Sequence, residues 1–176
     1  MTKIYTDGSC LGNPGAGGWA AVIVDEQNNR EELFGGEEHT TNNRMELTAA
    51  IRALEKIPAD VSVELFTDSN YLKNAFTNGW LAKWKRNGWR TATGGQVLNR
   101  DLWLALDELI SNRVVEFNWV KGHAGNFFNE RCDELAHRVA EKIRRQENII
   151  APPKISPPKV PKPAENFSKP VQLSLF

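Results

Sequence analysis

KIYTDGSCLGNPGAGGWAAVIVD, residues 3–25, holds two apolar runs separated by a glycine-rich break, and its reading decides the fold. Lys3 to Asp7 and Gly18 to Asp25 are rich in β-branched and aromatic residues, which suit a pleated, half-buried surface. The break GSCLGNPGAGG reads as a turn. With EELFGGEE at 31–38 the two runs make three short strands, an antiparallel meander. From Asn43 the period changes: in NRMELTAAIRALEKI, Met45, Leu47, Ala50, Ile51 and Leu54 fall near helical spacing, and Pro58 stops the run. VSVELFTD (61–68) follows as a strand and SNYLKNAF (69–76) as a helix. After an irregular basic stretch come a helix LNRDLWLALDELI (98–110), a strand VVEFNWV (114–120) and an amphipathic helix NERCDELAHRVAEKIRR (129–145). A meander followed by alternation predicts an α/β fold, a mixed five-stranded sheet flanked by helices.

The 176 residues suffice for one ordinary domain and an appendage. Seven of the nine prolines lie in residues 151–176, with four lysines and one acid, Glu165. Such a segment has too few apolar groups to offset the entropy of ordering it. We therefore expect a folded body at 1–150, a Pro/Lys-rich disordered linker at 151–171 and a separate terminal peptide, QLSLF, at 172–176. Basic and acidic groups are balanced at 22 each; the tail takes four of the former and one of the latter, leaving the body 18 against 21. A mildly acidic body can hold nucleic acid only through a local basic patch. Cys10 and Cys132 are the only cysteines, too few for a disulfide scaffold. MTKIYTDGSC lacks the pattern of a signal peptide, and no apolar stretch is long enough to cross a bilayer, so a soluble, cytoplasmic protein is expected.

Four carboxylates stand out. Asp7 and Asp68 each follow an apolar strand, at the end where open α/β sheets bind ligands. Glu46 sits early in its helix, and Asp133 lies in the last helix beside Cys132. Each alone reads as a cap or a solvated acid. If the two strands are neighbours, the acids meet, and ionised carboxylates held together call for a hard divalent cation, magnesium first. Two such ions about 3.5–4 Å apart serve phosphoryl transfer, which points to a nuclease.

TDGSCLGNPGAGG, TTNNRMEL, TDSNYL, WVKGHAGN and NERCDELA together resemble the motif series of type 1 ribonuclease H, in the family's order and over nearly all of residues 1–150. The resemblance implies a ribonuclease H-like fold and endonucleolytic hydrolysis of the RNA strand of RNA–DNA hybrids, leaving 3′-hydroxyl and 5′-phosphate ends. It assigns Asp7, Glu46, Asp68 and Asp133 to two Mg2+ ions, with Mn2+ as a substitute, and His123 of KGHAG to proton transfer or product release. It puts Cys10, Asn13, Asn42, Asn43 and Asn70 on the RNA strand, where neutral amides suit 2′-hydroxyls. Thr41, Trp80, Trp84 and Asn99 fall to the DNA strand.

Between Lys73 and Arg100 there are six basic residues and no acid. Lys83, Lys85, Arg86 and Arg90 interleave with Trp80, Trp84 and Trp89 in GWLAKWKRNGWR, resembling the family's basic protrusion; the tryptophans either anchor it or pack against deoxyribose. Asn70 stands where the family commonly has Gln, and Phe127 and Phe128 occupy an expected loop beside His123. QLSLF resembles the bacterial sliding-clamp-binding peptide, with Gln172, Leu173, Leu175 and Phe176 as anchors. A linker reaching about 60 Å would let the body search nearby hybrids while the tip stays docked. The rivals are a hybrid-binding module without catalysis and a related nuclease or integrase-like enzyme acting on DNA. A monomer is expected.

Overall fold

The computed structural model describes residues 1–122 and 125–146. The glycine-rich stretch expected to be a turn is mostly strand: β1 (Thr2–Gly12) pairs antiparallel with β2 (Gly15–Val24) from Lys3 opposite Val24 to Gly12 opposite Gly15. Only Asn13 and Pro14 remain for the turn. Local glycine propensity yields here to a continuous ladder with a partner strand. β3 (Arg30–Thr40) lies antiparallel on the outer side of β2.

α1 (Asn42–Lys56) begins at Thr41, whose hydroxyl accepts the Arg44 N–H at 3.4 Å, and ends at Ile57 before Pro58. β4 (Val63–Thr67) returns parallel to β1. α2 (Asn70–Thr77) is capped by Ser69, which accepts the Leu72 N–H at 3.3 Å. The basic stretch expected to be irregular contains a helix, α3 (Trp80–Arg86). Gly79, in the left-handed region at φ 65°, separates it from α2, and WLAKWKR consists largely of good helix formers. α4 (Arg100–Ser111) leads to β5 (Val115–Trp119), parallel to β4. α5 (Phe127–Arg144) starts earlier than expected: Asn126 accepts the Asn129 N–H at 3.2 Å, so Phe127 and Phe128 form its first turn.

The sheet order is β3-β2-β1-β4-β5, which confirms the mixed five-stranded sheet flanked by helices. β1 is central, and β2 is buried on both faces from Trp19 to Val24. On one face Ile4, Ala21, Ile23, Val63 and Leu65 pack with Leu47, Ile51 and Leu54 of α1, Leu72 of α2 and Trp103 and Leu106 of α4. On the other, Tyr5, Ala20 and Val22 meet Cys132, Leu135 and Ala136 of α5. Each fully buried Leu or Ile contributes about 1.5–3 kcal/mol. At Gly18 there is no room for a side chain: a Cβ would collide with the Ala136 carbonyl oxygen, so α5 rests on bare backbone of β2.

Candidate active site

Thr6 pairs with Thr67 in the last rung of the parallel β1–β4 ladder, and the next residue on each strand is an aspartate. Asp7 and Asp68 therefore emerge side by side at the carboxyl end of this pair. Strand alternation places them in line with Tyr5 and Phe66, whose rings stack at 4.8 Å one step below. The sequence put Asp7 at a strand end. β1 in fact continues to Gly12; the parallel pairing stops there, not the strand.

Glu46 arrives from α1, and Gly8 is why it can. A Cβ on Gly8 would lie 2.5 Å from the Glu46 nitrogen and 2.7 Å from the Met45 carbonyl carbon, so the helix backbone sits directly on β1. The Gly8 N–H also donates to Asp7 Oδ1 at 2.7 Å. Carboxylate oxygens of Asp7, Glu46 and Asp68 all lie within 4.8 Å of one another. Asp133, half-buried on α5, stands outside this tight group, yet its charge reaches Asp7.

Burial, then the charge of Asp68, pushes the Asp7 carboxyl up to about 8. Glu46, 5% exposed, is driven well above the carboxylate range by burial first and by Asp7 and Asp68 next. Its Oε1 lies 3.5 Å from Asn42 Nδ2, but its buried Oε2 has no hydrogen-bond partner among the described residues. An orphaned carboxylate oxygen among acids that repel one another is unfavourable by itself. An all-oxygen donor set of this charge fits a hard divalent cation such as Mg2+ or Mn2+.

The amides expected on the RNA side are gathered around the acids. Asn13 Oδ1, in the β1–β2 turn, accepts the Asn42 N–H at 3.2 Å, tying that turn to the start of α1. Cys10 Sγ lies 3.5 Å from the Gly15 oxygen and 3.4 Å from the Thr40 oxygen, on strand rather than turn. Asn43 is half-buried, and exposed Asn70 opens α2 two residues beyond Asp68. A cleft of about 380 Å³ opens beside Asp68, with Lys73 and Lys121 at its walls. His123 and the terminal Gln172, Leu173, Leu175 and Phe176 lie outside the described residues.

Residues 1–141 match the family model described as RNase H. The chain belongs to the ribonuclease H family. The ribonuclease H of Moorella thermoacetica is 53% identical over 144 residues, covering 82% of this chain and 94% of the relative. Among solved structures, LC9-RNase H1, a type 1 RNase H with the type 2 active-site motif, is 31% identical with a TM-score of 0.69, covering 80% of this chain and 72% of that one. LC11-RNase H1, solved in complex with RNA/DNA hybrid, is 26% identical with a TM-score of 0.60, covering 81% and 98%. This ribonuclease H family member is an enzyme, and among its described residues no helix is long and apolar enough to cross a membrane.

In this ribonuclease H fold the expected DNA-side residues divide. Thr41 and Asn99 meet at Arg44, a residue the sequence did not single out: its backbone N–H donates to Thr41 and its Nη1 to Asn99 Oδ1 at 3.4 Å. Arg44 also forks onto Asp101 at 3.0 and 2.7 Å, joining the starts of α1 and α4. Trp89 is buried at 8% exposure, as an anchor would be. Trp80 and Trp84 are half-buried, with Trp84 leaning on Trp103 at 5.4 Å. Lys83, Lys85, Arg86 and Arg90 are exposed; Lys85 pairs with Asp107 at 2.8 Å, and Arg90 donates to the Gly94 oxygen at 3.0 Å.

Proposed function

We propose that the chain hydrolyses the RNA strand of RNA–DNA hybrids at an acid site holding two magnesium ions, leaving 3′-hydroxyl and 5′-phosphate ends. The observation that carries this reading is the convergence of Asp7, Glu46 and Asp68 within 4.8 Å, with one buried Glu46 oxygen left over. The Moorella ribonuclease H and the hybrid-bound LC11-RNase H1 support the substrate. Asp7, Glu46, Asp68 and Asp133 would hold the ions, and manganese shares the same oxygen preference. When bound, such ions supply Lewis-acid stabilisation of the phosphoryl oxygens and an activated water.

The chain's own groups divide the remaining work. Gly8 and Asn42 orient Asp7 and Glu46 through their N–H groups. Asn13, Asn42, Asn43 and Asn70, with Cys10, face the 2′-hydroxyl edge that distinguishes RNA. Thr41, Asn99, Trp80 and Trp84 hold the DNA strand, and Lys83, Lys85, Arg86 and Arg90 supply phosphate attraction. His123 carries a proton to or from the reacting ends. We assign residues 1–150 to the catalytic domain, 151–171 to a tether, and QLSLF at 172–176 to docking on the replication sliding clamp, which suits removal of primers and R-loops by a cytoplasmic monomer.

The test is cleavage of a labelled RNA–DNA hybrid beside matched RNA–RNA and DNA–DNA duplexes, with magnesium and with chelator. Metal-dependent cutting confined to the RNA of the hybrid is expected. Hybrid binding without cutting would replace the enzyme with a binding module, and cutting of the DNA duplex would replace it with a DNA nuclease.

A further inference from the structure

The Tyr71 hydroxyl, immediately after Asn70 in α2, has three neighbours and three hydrogen-bonding capacities. Trp103 Nε1, which can only donate, lies 3.0 Å away, and the Leu98 carbonyl oxygen, which can only accept, lies at 3.4 Å. One lone pair remains for Asn99, whose Nδ2 donates to it at 3.2 Å. From the other side Arg44 Nη1, also only a donor, requires Asn99 Oδ1 at 3.4 Å. Two independent neighbours thus fix the same orientation of the Asn99 amide, and among the described residues the nitrogen keeps one N–H unspent.

Among the described residues nothing else uses that side chain. Asn99 precedes α4 in the left-handed region at φ 57° and makes no side-chain cap bond to the helix. It lines an open cavity of about 450 Å³ with Arg100. Trp103, wholly buried, lies against the phenol ring at a centroid distance of 5.3 Å, a contact that a phenylalanine ring at 103 can keep.

We infer that Tyr71 is a positioning residue for the DNA strand: its hydroxyl holds the Asn99 amide so that the spare N–H meets a backbone oxygen of the hybrid's DNA. This rests on the hybrid-cleaving reading and on Asn99 as a DNA contact. One helix then serves both strands, with Asn70 turned to RNA and Tyr71 acting through Asn99 on DNA.

The test compares wild type, Asn99→Ala, Tyr71→Phe, the double variant and Trp103→Phe in the full chain. Steady-state cleavage gives KM and kcat; fluorescence anisotropy in an Asp68→Asn background gives the affinity for uncut hybrid. Tyr71→Phe, which keeps the ring, should raise KM about 3- to 10-fold with kcat unchanged and weaken binding by the same factor. The double variant should be no weaker than Asn99→Ala alone. Trp103→Phe removes the other donor to the hydroxyl and should lower Tm while leaving affinity unchanged. An affinity loss on Asn99→Ala but none on Tyr71→Phe overturns the inference and spares the function. Equal affinity losses in Tyr71→Phe and Trp103→Phe overturn it in favour of general destabilisation. No effect of Asn99→Ala overturns it with the DNA-contact assignment, while failure of wild type to cut hybrid strikes the function itself.

Discussion

Around Asp7 backbone lies on backbone: Gly8 admits α1 to within contact of β1, and three carboxylates meet where burial penalises Asp7 and Glu46. Around α3 the contacts are ring on ring, Trp80 on Trp84 at 6.1 Å and Trp84 on Trp103 at 5.4 Å, while the charged groups stay in water. Under the proposed function the first region fixes atoms and accepts an electrostatic cost, while the second attracts a polyanion and tolerates imprecision. Chemistry and grip are thus built by different means, and damage to each should read differently.

The sharpest way to break the comparison is Asp68→Asn. It should lower kcat by at least about 10³-fold while hybrid affinity by anisotropy holds, because each factor of ten is about 1.36 kcal/mol of transition-state stabilisation. An active variant would sink the carboxylate argument. Asp7→Asn should likewise remove activity, yet raise the Tm of metal-free protein at pH 8. The sign follows from Asp7, lifted from 3.8 to about 8 in the folded state. Between those values the folded form holds the extra proton, so metal-free stability falls as pH rises. Thermal scans from pH 5 to 8 should show that decline in wild type, its flattening in Asp7→Asn, and its reversal by magnesium. A pH-independent wild-type Tm would refute it.

The protrusion should fail more gently. Replacing Lys83 and Arg86 together by Gln should raise KM several-fold and reduce the slope of log affinity against log salt by about 1 to 2, with kcat intact. A kcat loss of the same size would mean that α3 belongs to the chemistry. The smallest effect is expected from deleting residues 172–176, which should leave cleavage of free hybrid unchanged and abolish capture by the sliding clamp. Capture that survives the deletion would end the docking reading.

Strand and helix positions were legible because hydrophobic period and helix caps are local. So were the acids, since Asp7 and Asp68 each follow an apolar run. Three features escaped. Gly8–Gly12 reads as a turn locally and becomes strand only because β2 pairs with it. α3 hid behind its charge, although its Leu81 is buried. Arg44 and Tyr71 gained their roles from α4, which reaches them across 55 and 28 residues to Asn99. What sequence lacks is pairing at a distance.

Gly18 has a further consequence for anyone who maps this chain by exhaustive substitution. A side chain there would strike the carbonyl of Ala136, and one at Gly8 would strike α1. Both positions should score as intolerant as Asp68, though neither carries a functional group. A tolerance map would therefore draw the catalytic centre too large, extending it over positions that packing alone makes intolerant. Only a second readout of folded protein would separate the residues that react from those that must simply leave space.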